Sequence, residues 1–121
     1  MEFSFTDSQP LFKQVAEQIE TAILNGSFAE GDQVPSTTEI SKRYQLNPAT
    51  VLKGVNLLVS KQLIEKKRGI GMFVSSGARE RLREEYSKAF LNNHVSQLIE
   101  EAKNLGITSD KLIEMIEKGY E

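Results

Sequence analysis

The stretch Ser36-Thr37-Thr38-Glu39-Ile40-Ser41-Lys42-Arg43-Tyr44-Gln45-Leu46-Asn47-Pro48-Ala49-Thr50-Val51 holds two helix starts in close succession. Ser36 followed three residues later by Glu39 is a capping-box pattern. The serine hydroxyl and the glutamate carboxylate each take a backbone N–H that the first helical turn leaves unpaired. Asn47-Pro48 is a second start, because Asn caps well and Pro loses nothing at the first helical position. Ile40 and Tyr44 are expected to face a core from the first helix, which ends near Tyr44-Gln45. Val51, Val55 and Leu58 do so from the second, with Leu52 and Val59 beside them. About three residues join the two. Two capped helices with so short a link form a helix-turn-helix pattern.

Outward from this centre, Leu11, Val15, Ile19 and Ile23 recur every fourth residue, with Phe12 and Ala22 widening the stripe. This predicts a helix over about Pro10–Asn25, stopped by Gly26. Gly31-Asp32 marks a bend in the segment that follows. Downstream, Leu63–Lys67 and Met72–Ser75 are strand-like runs around Arg68-Gly69-Ile70-Gly71 and predict a β-hairpin with Lys66, Lys67 and Arg68 at its tip. After Gly77, residues 78–104 contain no Gly or Pro and predict one long helix of roughly 40 Å. Leu91, Val95, Leu98, Ala102 and Leu105 alternate spacings of four and three along it, a coiled-coil-like seam that a dimer would bury. Thr108 caps a last helix. The expected fold is mainly α with a small β-hairpin: a helix-turn-helix followed by the hairpin, then a two-helix tail over residues 78–121.

The chain has 121 residues, is 39% hydrophobic and 26% charged, and contains no cysteine. Disulfides and thiolate chemistry are therefore excluded. The N-terminus lacks the basic and apolar regions of a signal peptide, and no apolar run approaches the roughly 20 residues of a membrane span. A cytoplasmic protein with no membrane partner is expected. The net charge is −2, yet Lys42, Arg43, Lys53, Lys61, Lys66, Lys67 and Arg68 stand against the single acid Glu65 between residues 42 and 68. Such a local basic stripe attracts phosphate over about a Debye length, roughly 8 Å, whatever the total charge.

The landmarks in order are Gln9-Pro10-Leu11-Phe12-Lys13-Gln14-Val15-Ala16, Ile23-Leu24-Asn25-Gly26, Gly31-Asp32-Gln33-Val34-Pro35-Ser36, Glu39-Ile40-Ser41, Thr50-Val51 and Arg68-Gly69-Ile70-Gly71-Met72-Phe73-Val74. Together they resemble the winged helix-turn-helix domain of the GntR family of bacterial regulators, a likeness that covers about residues 9–77. The short helical tail and the Asn47-Pro48 helix start look like its YtrA subfamily, whose tails serve dimerisation. The resemblance implies a homodimeric, sequence-specific DNA-binding regulator of repressor type, acting on an inverted-repeat operator in double-stranded DNA. Two positions depart from the family pattern. Thr38 and Pro48 stand where the family commonly has Arg, so phosphate and base contacts must come from other residues.

Candidate DNA contacts follow from where each residue sits. Asn47, Ala49, Thr50 and Lys53 lie in the first turns of the second helix of the pair, the part that a recognition helix presents to base edges. Thr meets either base and Ala a thymine methyl, whereas Asn47 serves equally well as a cap alone. Ser36, Thr37 and Thr38 open the first helix of the pair, where free N–H groups suit phosphate oxygens. Lys67, Arg68 and Gly69 form a wing tip able to approach a narrow minor groove. Arg43, like Lys42, is a phosphate contact or part of a solvated face. The lone His94 has no ligand set around it, so no metal and no cofactor are expected. A small-molecule effector of unidentified chemistry is compatible with the reading. A winged helix can instead be a protein-interaction module; the basic wing and helix weigh against that, and a salt-dependent gel shift separates the two. An enzyme is the third class. It lacks support, since there is no Ser/His/Asp set with supporting context and Gly69-Ile70-Gly71 lacks the helix that a dinucleotide loop requires.

Overall fold

The structure, a computed structural model, describes residues 3–121. It divides into two compact units, one ending at Arg83 and one spanning Glu84–Glu121.

The first unit is built on α1 (Leu11–Leu24), β1 (Gln33–Val34), α2 (Thr37–Tyr44), α3 (Pro48–Ser60), β2 (Ile64–Lys67) and β3 (Gly71–Val74), and it is closed by the start of α4 (Ala78–Ala89). Its core takes Val15, Ala16, Ile19, Ala22 and Ile23 from α1, Ile40 from α2, Val51, Val55 and Leu58 from α3, Met72 and Val74 from β3, and Ala78 and Leu82 from α4. The expected stripe on α1 holds except at Leu11, which is 41% exposed.

α1 and α3 cross closely at Gly54, a residue to which the sequence reading assigned nothing. A Cβ at Gly54 would lie 2.6 Å from the Phe12 carbonyl oxygen and 3.2 Å from Val15 Cβ. A helix-interior glycine costs about 0.5–1 kcal/mol relative to alanine, and here that cost permits backbone contact between two helices.

The sheet differs from the expected two-stranded hairpin. β3 lies in the middle, paired antiparallel with β2 through Ile64↔Val74 to Lys67↔Gly71 and with β1 through Gln33↔Phe73 and Val34↔Met72. A two-residue strand has no period to detect, and only the free edge of β3 makes it a strand.

The expected single helix over residues 78–104 is interrupted. α4 is followed by a π-helical segment, Phe90–Val95, and then α5 (Ser96–Asn104) and α6 (Ser109–Gly119). A π segment bonds i to i+5 and widens the turn, so residues before and after it no longer share one heptad face. No Gly or Pro marks it. Among the described residues no helix is long and apolar enough to cross a membrane, and no group of three metal-ligating side chains forms.

Candidate nucleic-acid interface

Both predicted caps form. Ser36 Oγ accepts the Glu39 N–H at 3.1 Å, and Glu39 Oε1 accepts the Ser36 N–H at 3.3 Å. Asn47 Oδ1 accepts the Ala49 N–H at 2.8 Å. The Asn47 oxygen is therefore committed to the helix, while its NH2 donors are not part of the cap.

The turn between α2 and α3 is set by Gln45, where the first helix was expected to end, and by Ser41. Gln45 is left-handed, with φ 53° and ψ 48°. The Leu46 N–H donates to the Ser41 carbonyl at 3.0 Å, and the buried Ser41 hydroxyl donates to the Leu46 carbonyl at 2.6 Å. A serine one turn before a helix end can hold the chain as it reverses, but it reads in the sequence as one polar residue among many.

The wing is likewise braced. The Ile70 N–H closes the tip onto the Lys67 carbonyl at 2.9 Å. Gln33, from β1, donates its amide to the Ile70 carbonyl at 3.2 Å. Gly71 sits at φ 141°, a conformation that favours glycine, and the Gln33 amide packs against the space where a Cβ would stand. Lys66 Nζ reaches Asn56 Oδ1 of α3 at 2.7 Å, and Lys67 Nζ stands 4.8 Å from the centre of the Phe73 ring. Arg68 and Gly69 are left exposed at the tip.

Between the start of α2 and this wing lies an open groove of about 480 Å³, lined by Ser36, Thr37, Thr38, Lys66, Lys67, Arg68, Gly69, Ile70, Gly71 and Met72. Residues chosen from two separate stretches of sequence thus meet around one space. A helix start offers N–H groups from one wall and a basic turn offers cations from the other.

The remaining candidates lie elsewhere. Ala49 and Lys53 are exposed on α3, and Thr50 is half-buried. Lys53 lies with its ammonium 4.1 Å from the centre of the Phe12 ring on α1. Arg43 is exposed and stands 5.5 Å from the Tyr44 ring.

Tyr44 does not simply enter the core, as the periodicity predicted. Phe3 stacks on it at 4.8 Å, Phe5 meets it edge-on at 6.0 Å, and the Phe3 N–H donates to its hydroxyl at 3.2 Å. The segment before α1 is thus an ordered arm. The buried Gln14 side chain holds it: Oε1 accepts the Thr6 N–H at 2.8 Å, and Nε2 donates to the Thr6 and Gln9 carbonyls at 2.7 Å each.

In the second unit, Leu91, Leu98 and Leu105 are 60, 41 and 76% exposed, and Val95 is half-buried. Ala102 departs from the expected seam. At 6% exposure it is already covered within the single chain. Leu91 and Val95 fall inside the π segment, and Leu98 and Leu105 lie beyond it.

Residues 11–74 match the profile described as bacterial regulatory proteins, gntR family. The chain belongs to the gntR family. This gntR-family protein is 32% identical over 111 residues to the HTH-type transcriptional repressor YtrA of Bacillus subtilis, a match covering 92% of this chain and 85% of that one. Its structure resembles that of a GntR family transcriptional regulator from Listeria monocytogenes, with a TM-score of 0.76 and 29% identity over 94% of this chain and 98% of the other. The DNA-binding domain of AraR, solved in complex with operator ORX1, matches 62% of this chain and 96% of its own length, with a TM-score of 0.57 and 26% identity. The gntR-family protein is a transcriptional regulator with a DNA-binding winged helix-turn-helix domain, and not an enzyme.

Proposed function

We propose that this regulator is a cytoplasmic homodimeric repressor that binds an inverted-repeat operator, with residues 9–77 reading the DNA and residues 78–121 joining two chains. The groove between Ser36–Thr38 and Lys67–Gly69 carries the reading, because it sets helix N–H groups and a basic wing around one space of the kind a phosphate backbone fills. In this arrangement α3 enters the major groove with Ala49 and Thr50 toward base edges. Asn47 and Lys53 lie at its margins, Arg43 meets a flanking phosphate, and Arg68 meets the minor groove or backbone. Full engagement requires Lys53 to leave the Phe12 ring, a change within reach of an exposed lysine, whose cation–π contact is worth about 0.5–1 kcal/mol. AraR, whose DNA-binding domain shares this fold and was solved on its operator, supports DNA as the partner.

The test is selection of a duplex from a random pool, followed by titration at several salt concentrations. An inverted repeat bound with a steep negative salt slope is expected. Selection of no sequence, or binding indifferent to salt, overturns the reading in favour of a protein partner.

A further inference from the structure

Outside the groove, two arginines at the start of α4 bond to backbone carbonyls of the first unit. Arg81 Nη1 donates to the Gln62 carbonyl and to the Ser76 carbonyl, each at 2.9 Å. Arg79 Nε donates to the carbonyl of Leu24, the last residue of α1, at 3.1 Å. Gln62, just past the end of α3, is held left-handed at φ 61°, a sparsely occupied conformation for a residue with a Cβ. Its carbonyl is the one that Arg81 takes. Gly77 turns at φ 79°, and a Cβ there would sit 3.4 Å from the Arg81 guanidinium. Lys61, the C-terminal cap of α3, meets the buried Glu20 of α1 at 2.5 Å. Ala78 and Leu82 are wholly buried. Two guanidiniums thus close the carbonyl ends of the chain leaving α1 and α3, where helix dipoles favour positive charge, and both belong to the first turn of α4. Neither Arg79 nor Arg81 lines the nucleic-acid groove.

We propose that Arg81 is a positioning residue that determines operator spacing: it ties the start of α4 to the exit of the recognition helix and holds that start in one orientation on the reading head, without touching DNA. The proposal rests on the homodimer reading above. Two heads of a twofold dimer must reach half-sites about one helical turn, or a multiple of it, apart. A loosened α4 start leaves the chemistry of one head unchanged and widens the set of spacings that two heads can reach. The affinity gained by engaging both half-sites falls when geometry no longer favours simultaneous contact.

The experiment uses the full chain and two variants, R81M and R81K. R81M keeps the aliphatic stem and removes every donor. R81K keeps the charge without the planar fork. Each is titrated against the inverted repeat that the parent selects, against versions with the half-sites moved by one to three base pairs, and against a duplex carrying one half-site. R81M is expected to remain a dimer in sedimentation and to bind the single half-site within about twofold of the parent. On the selected repeat it loses about five- to twentyfold, and its preference over shifted spacings flattens by a similar factor. R81K falls between the two. An unchanged spacing preference in R81M overturns the proposal. Equal losses on the half-site and the full repeat also overturn it, since they indicate general damage to the head. Should R81M fail to fold, R81K alone decides by the same two criteria. A parent protein that sediments as a monomer, or selects one asymmetric site, defeats the homodimer reading before any Arg81 variant is measured.

Discussion

Arg68 and Thr50 illustrate how two residues on one surface can do different work. Arg68 stands exposed at the tip of a braced hairpin, where backbone and minor groove carry little sequence code. Arg68→Ala is expected to weaken operator and scrambled duplex alike and to reduce the salt slope by about one unit. Thr50 is half-buried in the first turn of α3. A bulkier residue there is expected to cost the operator on the order of 1–3 kcal/mol while leaving scrambled DNA nearly unaffected. Titration of both variants against both duplexes at two salt concentrations separates the roles. Parent-like binding by both would move the DNA surface away from these residues. Gly54 and Gly71 illustrate another residue-scale lesson. Gly54 is demanded by the backbone of Phe12, a neighbour distant in sequence and so invisible locally, whereas Gly71 is demanded by its own positive φ.

Among the elements, the arm before α1 gained most from the structure. In the sequence, residues 1–7 served only to exclude a signal peptide. Folded, the described part of the arm covers the end of α2, and Gln14 bonds to it at three points. Gln14→Leu keeps much of the volume and removes those bonds. Folding stability should fall by about 1.5–4.5 kcal/mol, since each of the three hydrogen bonds contributes about 0.5–1.5. Bonds upstream of Pro10 should become open to protease. Unchanged melting together with an arm still protected would show that the aromatic stacking on Tyr44 suffices by itself. The π segment is the second lesson at this scale. A heptad count assumes an unbroken helix, and Phe90–Val95 breaks that assumption without a glycine or proline to announce it.

At the scale of the whole molecule, the exposed apolar residues of the second unit bear on assembly. Leu98 and Leu105 are joined there by Ile113 and Ile116, at 52 and 44% exposure. Monomers rarely leave such surface uncovered without a partner for it. The full chain is expected to sediment as a dimer at micromolar concentration. Placing two lysines, at Leu98 and Leu105, should weaken that dimer by on the order of 3 kcal/mol, about a hundredfold in dissociation constant. The same variant should keep binding to a single half-site while losing the inverted repeat. A double variant that stays dimeric places the joining surface elsewhere on the chain.

Local chemistry alone determined much of this protein. The capping box at Ser36, the Asn47-Pro48 start, the stop at Gly26 and the basic turn at Lys67–Gly69 were legible because each is a bargain among residues within a few positions of one another. The helix-turn-helix and the wing followed from them, and so did the choice of Ser36, Thr37, Thr38, Lys67, Arg68 and Gly69. Only the tertiary structure decided that those six residues face each other across one groove. It alone paired Gln33–Val34 with β3, brought Lys53 over Phe12, buried Ala102 and set Arg81 against the Gln62 carbonyl. Each of these except the burial of Ala102 joins residues nineteen to forty-one positions apart along the chain, and Ala102 differs because its burial shows only once the chain is folded. Such partners meet when burial of the whole core repays the entropy of closing the chain between them, and no periodicity within either segment records that they will.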